Sequence, residues 1–323
     1  MKILIIRLSS IGDIVLATPL VRCLRNKFPS AQIDFLVKKK YLEILSANPY
    51  ISNLIFFEND FFELAKTIRK EKYDFIIDIH NNFRSFLLTL FSGAKILRYK
   101  NYMFRRFFLA EFGLNFYKEK VPVFQRYLKT ASPLGVSYDS EGLDFFIDDK
   151  IKVQFEQLFE LNYIGICPVA VWKTKRWLKQ RFVDLAKKIL EKQDCEILIF
   201  GGKKDFEYCE DIKKQIGNRT KNLCGLSLQE TAAVLQKCKY LLTNDTGLMH
   251  VADALKIPTI SVFGPTVEEF GFYPQSEKSK IISKNYFCKP CSTKGSGKCP
   301  VGNFRCMKDI TVEEVFSHCA ACL

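Results

Sequence analysis

The sequence predicts an α/β chain made of two doubly wound halves. Three observations carry that expectation. Short apolar, β-branched runs alternate with helical stretches along the 323 residues, the pattern of parallel strands joined by helices. The alternation starts afresh near residue 155. The stretch Tyr240 to Pro265 holds the whole unit in miniature: an apolar strand, the polar turn Thr243-Asn244-Asp245-Thr246-Gly247, a short helix and a second strand.

Taken in order, Lys2 to Leu8 is a buried parallel strand interrupted by Arg7, and Ser9-Ser10-Ile11-Gly12-Asp13 is the turn after it. A helix then runs to about Phe28, with a kink expected at Pro19, whose ring removes a backbone hydrogen bond. Strands follow at Gln32 to Val37, Asn53 to Phe57, Phe75 to Ile79 and Lys95 to Arg98, with helices at Phe62 to Lys70, Phe83 to Phe91 and Val123 to Ser132. In the second half, strands are expected at Tyr163 to Pro168 and Glu196 to Gly202. Helices are expected at Arg181 to Lys192, Phe206 to Ile216 and Leu228 to Lys237. Strand Tyr240 to Leu242, helix Leu248 to Leu255, strand Thr259 to Phe263 and a final helix from Thr311 to His318 complete the chain.

The turn at Asp245 is where chemistry is expected first. A strand that feeds a helix through a glycine-containing turn leaves free N–H groups and the positive helix end at the sheet's carboxyl edge, which suits a phosphate. Asp245 or Thr246 can cap that helix, Gly247 lets a ligand approach the backbone, and His250 falls on the first turn. An ordinary capped helix with a satisfied histidine is the plainer reading.

Ligands of two such halves sit beyond the strands' carboxyl ends, in a cleft. The loops there are Ser9 to Asp13, Asp78 to Arg84, Ala170 to Lys175, Gly201 to Asp205 and Asn244 to His250. A carboxylate such as Asp13 can take a proton from a bound hydroxyl, or simply cap its helix. Lys175 brings a cation able to balance a departing diphosphate. Asp205, just past Gly201-Gly202, stands where an acidic residue binds ribose hydroxyls. Neither G-x-G-x-x-G after the first strand nor G-x-x-x-x-G-K-[ST] is present, which argues against a dinucleotide dehydrogenase and a P-loop NTPase.

The net charge of +14 favours polyanionic partners: nucleic acid, phosphorylated substrates or an anionic membrane face. The basic residues are spread along the chain without a nucleic-acid motif, so a nucleic-acid module is the lesser expectation. No stretch approaches the roughly 18 apolar residues of a membrane span, and the expected location is cytoplasmic. Asn101 to Phe116 is aromatic and basic together: an acceptor groove, a membrane-surface element or a core segment.

With these residues in place, the chain resembles glycosyltransferase family 9, the lipopolysaccharide core heptosyltransferases that use ADP-heptose. The resemblance runs nearly end to end. It is carried by the opening strand with SSIGD and TPL, by YDFIIDIHNNFRS, by KRW, by the FGG strand end and by NDTGLMHVADALKIPTISVFGPT. It implies the two-domain GT-B fold, with residues 1–155 binding the acceptor, 156–310 binding the nucleotide sugar, and a terminal helix, 311–323, returning to the first domain. It implies an inverting transfer in which Asp13 is the general base, while Lys175, Asp245, Thr246 and Gly247 hold the diphosphate with His250 near. Asp205 would bind ribose and Leu226 flank the adenine. Ser9, Ser10 and Gly12 would line the acceptor side, with Arg84 and Arg126 toward an anionic, lipid-linked acceptor at the cytoplasmic membrane face. No metal is implied for the transfer. One departure stands before the matching lysine: Ala170, Val171 and Trp172 replace the small hydroxyl residues or glycine common there, leaving backbone N–H groups to meet the phosphates.

The tail carries a separate signal. Cys288, Cys291, Cys299 and Cys306 have spacing suited to a four-thiolate zinc site, and their ligand type also suits an iron–sulfur cluster. Free thiols or disulfides are the alternatives. His318, Cys319 and Cys322 lie beyond, and a metal-centred redox protein is a third functional class to test. A tail of this kind is similar to that of some family members.

Overall fold

The computed structural model describes residues 1–58, 60–100, 102–156 and 162–320. Of the residues singled out above, Asn101 and Cys322 lie outside that set. The chain divides into two units, Met1–Tyr102 with Val121–Phe146, and Met103–Lys120 with Ile147–Leu323.

The first unit opens with β1 (Lys2–Ile6), α1 (Ile11–Val15), α2 (Thr18–Lys27), β2 (Gln32–Lys38), β3 (Asn53–Phe57) and α3 (Phe61–Glu71). It continues through β4 (Phe75–Asp78), α4 (Phe83–Leu90) and β5 (Lys95–Arg98). The strands form one parallel sheet in the order β3-β2-β1-β4-β5. Ile3 to Ile6 are fully buried because both sheet faces are covered, which is why β1 reads as a continuous apolar run rather than an alternating one. Pro19 does not kink one long helix. It sits in the first turn of α2, where its missing N–H costs nothing, and the chain breaks between α1 and α2 instead.

Next comes α5 (Met103–Phe112), followed by α6 (Val123–Leu128), which tightens into a 3₁₀ turn over Lys129–Leu134 where one helix to Ser132 was expected. The second unit continues with α7 (Asp149–Glu156), β6 (Tyr163–Cys167), α8 (Lys179–Lys192), β7 (Glu196–Ile199), α9 (Phe206–Ile216), β8 (Thr220–Asn222) and α10 (Leu228–Leu235). It ends with β9 (Cys238–Asn244), α11 (Gly247–Ala254), β10 (Thr259–Phe263), β11 (Lys280–Ser283), α12 (Arg305–Lys308) and α13 (Val312–Ala320). Its six strands, all parallel, run β11-β10-β9-β6-β7-β8. In each sheet the strand order reverses beside the first strand, between β1 and β4 and again between β6 and β9, and that reversal opens a crevice at the carboxyl ends.

The first unit runs to Phe146, and Met103–Lys120 falls in the second unit. Arg106 stacks 5.2 Å from the Phe272 ring, the Tyr273 hydroxyl donates to the Lys120 carbonyl at 2.7 Å, and Lys120 pairs with Glu268 at 3.0 Å. The Asp148 N–H donates to the Gln229 side chain at 2.9 Å, tying the start of α7 to the same unit. Helix α13 packs on α8: Lys188 pairs with Glu313 at 3.3 Å and Cys319 is fully buried in the second unit's core. The apolar face Val312, Val315 and Cys319 finds its cover there.

Candidate functional site

Each unit gathers candidate site residues at its sheet's carboxyl edge. In the first, Asp13 is the third residue of α1. Its Oδ2 accepts from the Ser10 hydroxyl at 2.8 Å and the Ser10 N–H at 3.2 Å. Its Oδ1 lies 2.5 Å from Arg7 Nη2 and accepts from the Tyr127 hydroxyl at 3.3 Å. Arg7, directly after β1, is fixed in turn by donation to the Ile79 carbonyl at 2.8 Å and by the face of Tyr127, 5.5 Å away. Burial works against the charged form of Asp13, but the Arg7 charge and the Ser10 hydrogen bonds outweigh it, and the carboxyl is held below the usual carboxylate range. The result is an ionised carboxylate, nearly buried, with both oxygens engaged.

His80 follows β4 in the same crevice. Its loop is shaped by the buried Asp78, whose carboxylate accepts from the N–H groups of His80 and Asn81 at 3.1 and 2.9 Å. Burial, reinforced by the positive charge of Arg7, pulls the imidazole down to about 4, so it is neutral near pH 7. Its Nδ1 is enclosed and has no hydrogen-bond partner among the described residues. Of the two arginines assigned to the acceptor, Arg84 is exposed, with its guanidinium 5.1 Å from the Phe57 ring. Arg126 is only 4% exposed and lies under the Tyr102 ring at 4.5 Å. Ser9 flanks the Asp13 turn and is partly exposed, while Gly12 is buried in α1.

In the second unit, the loop after β6 brings Lys175 Nζ to 2.5 Å from Asp245 Oδ2, and the Thr266 hydroxyl donates to the same oxygen at 2.7 Å. The partnership is built from buried neighbours. Asn244 Oδ1 accepts from the Trp177 N–H at 2.8 Å and its amide reaches the Cys167 carbonyl at 3.4 Å, joining the ends of β6 and β9. The cap of α11 differs from expectation. Asp245 is taken by Lys175 and Thr266, and Thr246, the N-cap residue, makes no side-chain cap bond; its hydroxyl faces Thr243 at 3.3 Å. The first N–H groups of α11 therefore have no side-chain cap, which leaves the positive end of the helix for an anion. His250 lies buried on that first turn.

Asp205 closes the loop after β7 onto itself, accepting from the Gly202 N–H at 3.2 Å, with Arg176 Nη2 3.8 Å from its other oxygen. Leu226, just before α10, is partly buried against the core. Cysteines 288, 291, 299 and 306 are partly exposed free thiols close enough to influence one another's ionisation, and burial pushes Cys291 up to about 11. Among the described residues, no three His, Cys, Asp or Glu side chains are grouped so as to hold a metal ion. The thiol segment does touch the Lys175 loop: the Thr174 hydroxyl donates to the Ser296 carbonyl at 2.9 Å and receives the Ser296 N–H at 2.8 Å. The Cys291 N–H donates to the Pro265 carbonyl at 3.2 Å.

Sequence reasoning did not single out Arg7 as a partner of Asp13, nor Tyr127, His80 or Thr266. Arg7 was visible as a lone cation interrupting an apolar strand. Tyr127 carried no local signal, being 114 residues from Asp13.

The family described as Glycosyltransferase family 9 (heptosyltransferase) matches residues 61–300. Over 309 residues the chain is 28% identical to lipopolysaccharide heptosyltransferase 2 of Escherichia coli K12, covering 87% of this chain and 88% of that protein. Lipooligosaccharide heptosyltransferase 2 of Campylobacter jejuni serotype O:2 is 29% identical over 328 residues, covering 98% and 97%. The solved structure of the E. coli ADP-heptose lps heptosyltransferase II matches 100% of this chain and 98% of its own, with TM-score 0.76 and 26% identity. The fold is thus α/β of the GT-B type, with two Rossmann-like doubly wound units. With the family match spanning well over half of its length, the chain belongs to glycosyltransferase family 9, the heptosyltransferases.

Proposed function

We propose that the chain is an inverting glycosyltransferase that moves heptose, or a related sugar, from ADP-heptose to a phosphorylated lipopolysaccharide inner-core acceptor. The observation that carries the donor half is the Lys175–Asp245–Thr266 group beside the uncapped start of α11. A cation and a helix N-terminus at one sheet edge form a seat for a diphosphate.

In this reading Asp13 takes the proton of an acceptor hydroxyl as that oxygen bonds to the anomeric carbon. The bond from that carbon to the diphosphate breaks, its electrons pass to the β-phosphate oxygen, and ADP leaves with the sugar's configuration inverted. Lys175 and the α11 N–H groups stabilise the charge that develops on the diphosphate. Asp13 gives up one of its hydrogen bonds to receive the proton, and the Tyr127 contact, the longest of the four, is the one to yield. Asp205 binds ribose, Leu226 packs beside adenine, His250 supports the diphosphate loop, and Arg84 meets the acceptor's phosphates. Ser10 holds the base, while Ser9 and Gly12 shape the turn beside it. The 1–155 and 156–310 roles of acceptor and donor binding are kept with the unit boundaries given above.

No metal takes part in the transfer in this reading. The segment carrying the four tail thiols meets the Lys175 loop through Thr174 and Ser296, and in this reading its role is structural. Metal analysis of purified protein separates a bound zinc ion or iron–sulfur cluster from free thiols. The enzyme works in the cytoplasm, on the membrane face that carries its lipid-linked acceptor.

A thermal-shift panel tests the donor class, because a ligand that binds only the folded chain raises its melting temperature. ADP and ADP-heptose should stabilise more than UDP, GDP and their sugars; equal or reversed ranking would reject the reading.

A further inference from the structure

We infer that the aromatic segment from Met103 to Phe116 is a docking surface for an anionic lipid bilayer. The inference rests on the proposed lipid-linked acceptor and names the part of the molecule that meets the membrane. Only Leu109 of the ten residues in α5 is buried. The rings of Phe107, Phe108, Phe112 and Phe116 lie 5.6 to 5.9 Å apart, centroid to centroid, so they pack on one another instead of entering the core. Phe104 and Phe112 are 72% and 61% exposed, and Phe116 is 53% exposed. At about 200 Å² for a whole ring-bearing side chain, these three with Phe107 at 45% and Phe108 at 36% show water roughly 500 Å² of apolar surface. That is as large as the largest patch of a typical monomer, the kind that marks an interaction site.

Charge selects the partner. Arg105 and Arg106 belong to the segment and Lys118 follows it, Lys120 is paired with Glu268, and Glu111 and Glu119 offset only part of the remaining positive charge. In a chain with net charge +14, a second copy is repelled where an anionic surface is attracted. Aromatic rings beside Arg and Lys suit the boundary between headgroups and acyl chains. Helix α5 has ten residues and a length of about 15 Å, so it lies in that boundary rather than crossing it. The segment is also held in place: Leu114 N–H donates to the Phe108 carbonyl at 3.2 Å, and Arg106 and Lys120 fasten its ends to Phe272, Tyr273 and Glu268.

The test is co-sedimentation of the full chain with vesicles of phosphatidylcholine alone or with phosphatidylglycerol, at low and high salt. Wild type should pellet with the anionic vesicles and be released by salt. The double variant Phe107→Ser, Phe112→Ser should bind them about tenfold more weakly, with an unchanged melting temperature and unchanged stabilisation by ADP. Arg105→Glu with Lys118→Glu, which leaves the rings intact, should weaken anionic binding as well. Wild type remaining in the supernatant, or the ring variant binding as well as wild type, would overturn the inference. So would a wild-type dimer that the ring variant dissociates, in the absence of vesicle binding. ADP stabilisation read on the same samples separates the two claims: its absence counts against the proposed function, and its presence without vesicle binding counts against this inference alone.

Discussion

Arg7 Nη2 lies 2.5 Å from Asp13 Oδ1, which makes the proposed base one half of a nearly buried ion pair. Such a pair keeps the carboxylate ionised at the expense of its basicity. It also ties the fold of the first unit to the chemistry, because removing the cation strands a buried charge.

Replacing Arg7 with Met should therefore act in two ways. Stability should fall by about 3–5 kcal/mol, the usual cost of breaking a buried pair from one side. The acidic limb of the kcat/KM profile should move to higher pH, because the burial that raises the Asp13 pKa remains while the main opposing charge is gone. Urea unfolding and a pH–rate profile read the two effects separately.

Lys175→Met should lower kcat for transfer by about 10²–10³, the range seen on losing one charge-stabilising donor. Loss through KM alone, with kcat kept, would assign Lys175 to ground-state binding. Steady-state kinetics with varied donor distinguishes these.

His80 gives a stability prediction with a defined sign. Its folded pKa of about 4 lies below the ordinary value of 6.5, so the unfolded chain binds the extra proton between those values. Stability is full above about pH 6.5 and is lost as pH falls toward 4, by about 3 kcal/mol for this group. In His80→Gln that part of the pH dependence should disappear. Denaturant unfolding at pH 7.5 and 4.5 measures the difference.

Asn244→Ala should cost about 1–3 kcal/mol by leaving the buried Trp177 N–H without its acceptor. The ends of β6 and β9 lose their link, so ADP should also raise the melting temperature less than in wild type. Thermal melting with and without ADP checks both.

Much of the fold was legible from its apolar runs: the partly exposed edge strands β3 and β5 and the buried β10 fall where those runs stand, and α9 spans the helix expected from its periodicity. Strands β8 and β11 at the edges of the second sheet, with sequences TKN and KIIS, were not, since so short a stretch with at most two adjacent apolar residues gives no run to read. Pro19 was visible but its effect was not, because a proline suits a helix start as well as a kink. The assignment of α5 to the second unit depends on Phe272 and Tyr273, far away in the chain, and no local pattern carries that. At the site, Asp13, Lys175 and Asp245 could be named from strand–turn–helix order. The partners that set their properties, Arg7 with Tyr127 and Thr266 with Asn244, come together only through the parallel registers of the sheets.

The central claim is that Asp13 is the base of a sugar transfer whose leaving group is ADP. Its most direct test is acceptor-dependent ADP release from ADP-heptose by wild type and by Asp13→Asn, with the product's anomeric configuration read by NMR. The account predicts release with inversion for wild type, and no acceptor-dependent release by a folded variant that still binds ADP. Full transfer by Asp13→Asn, or a product of retained configuration, would contradict it.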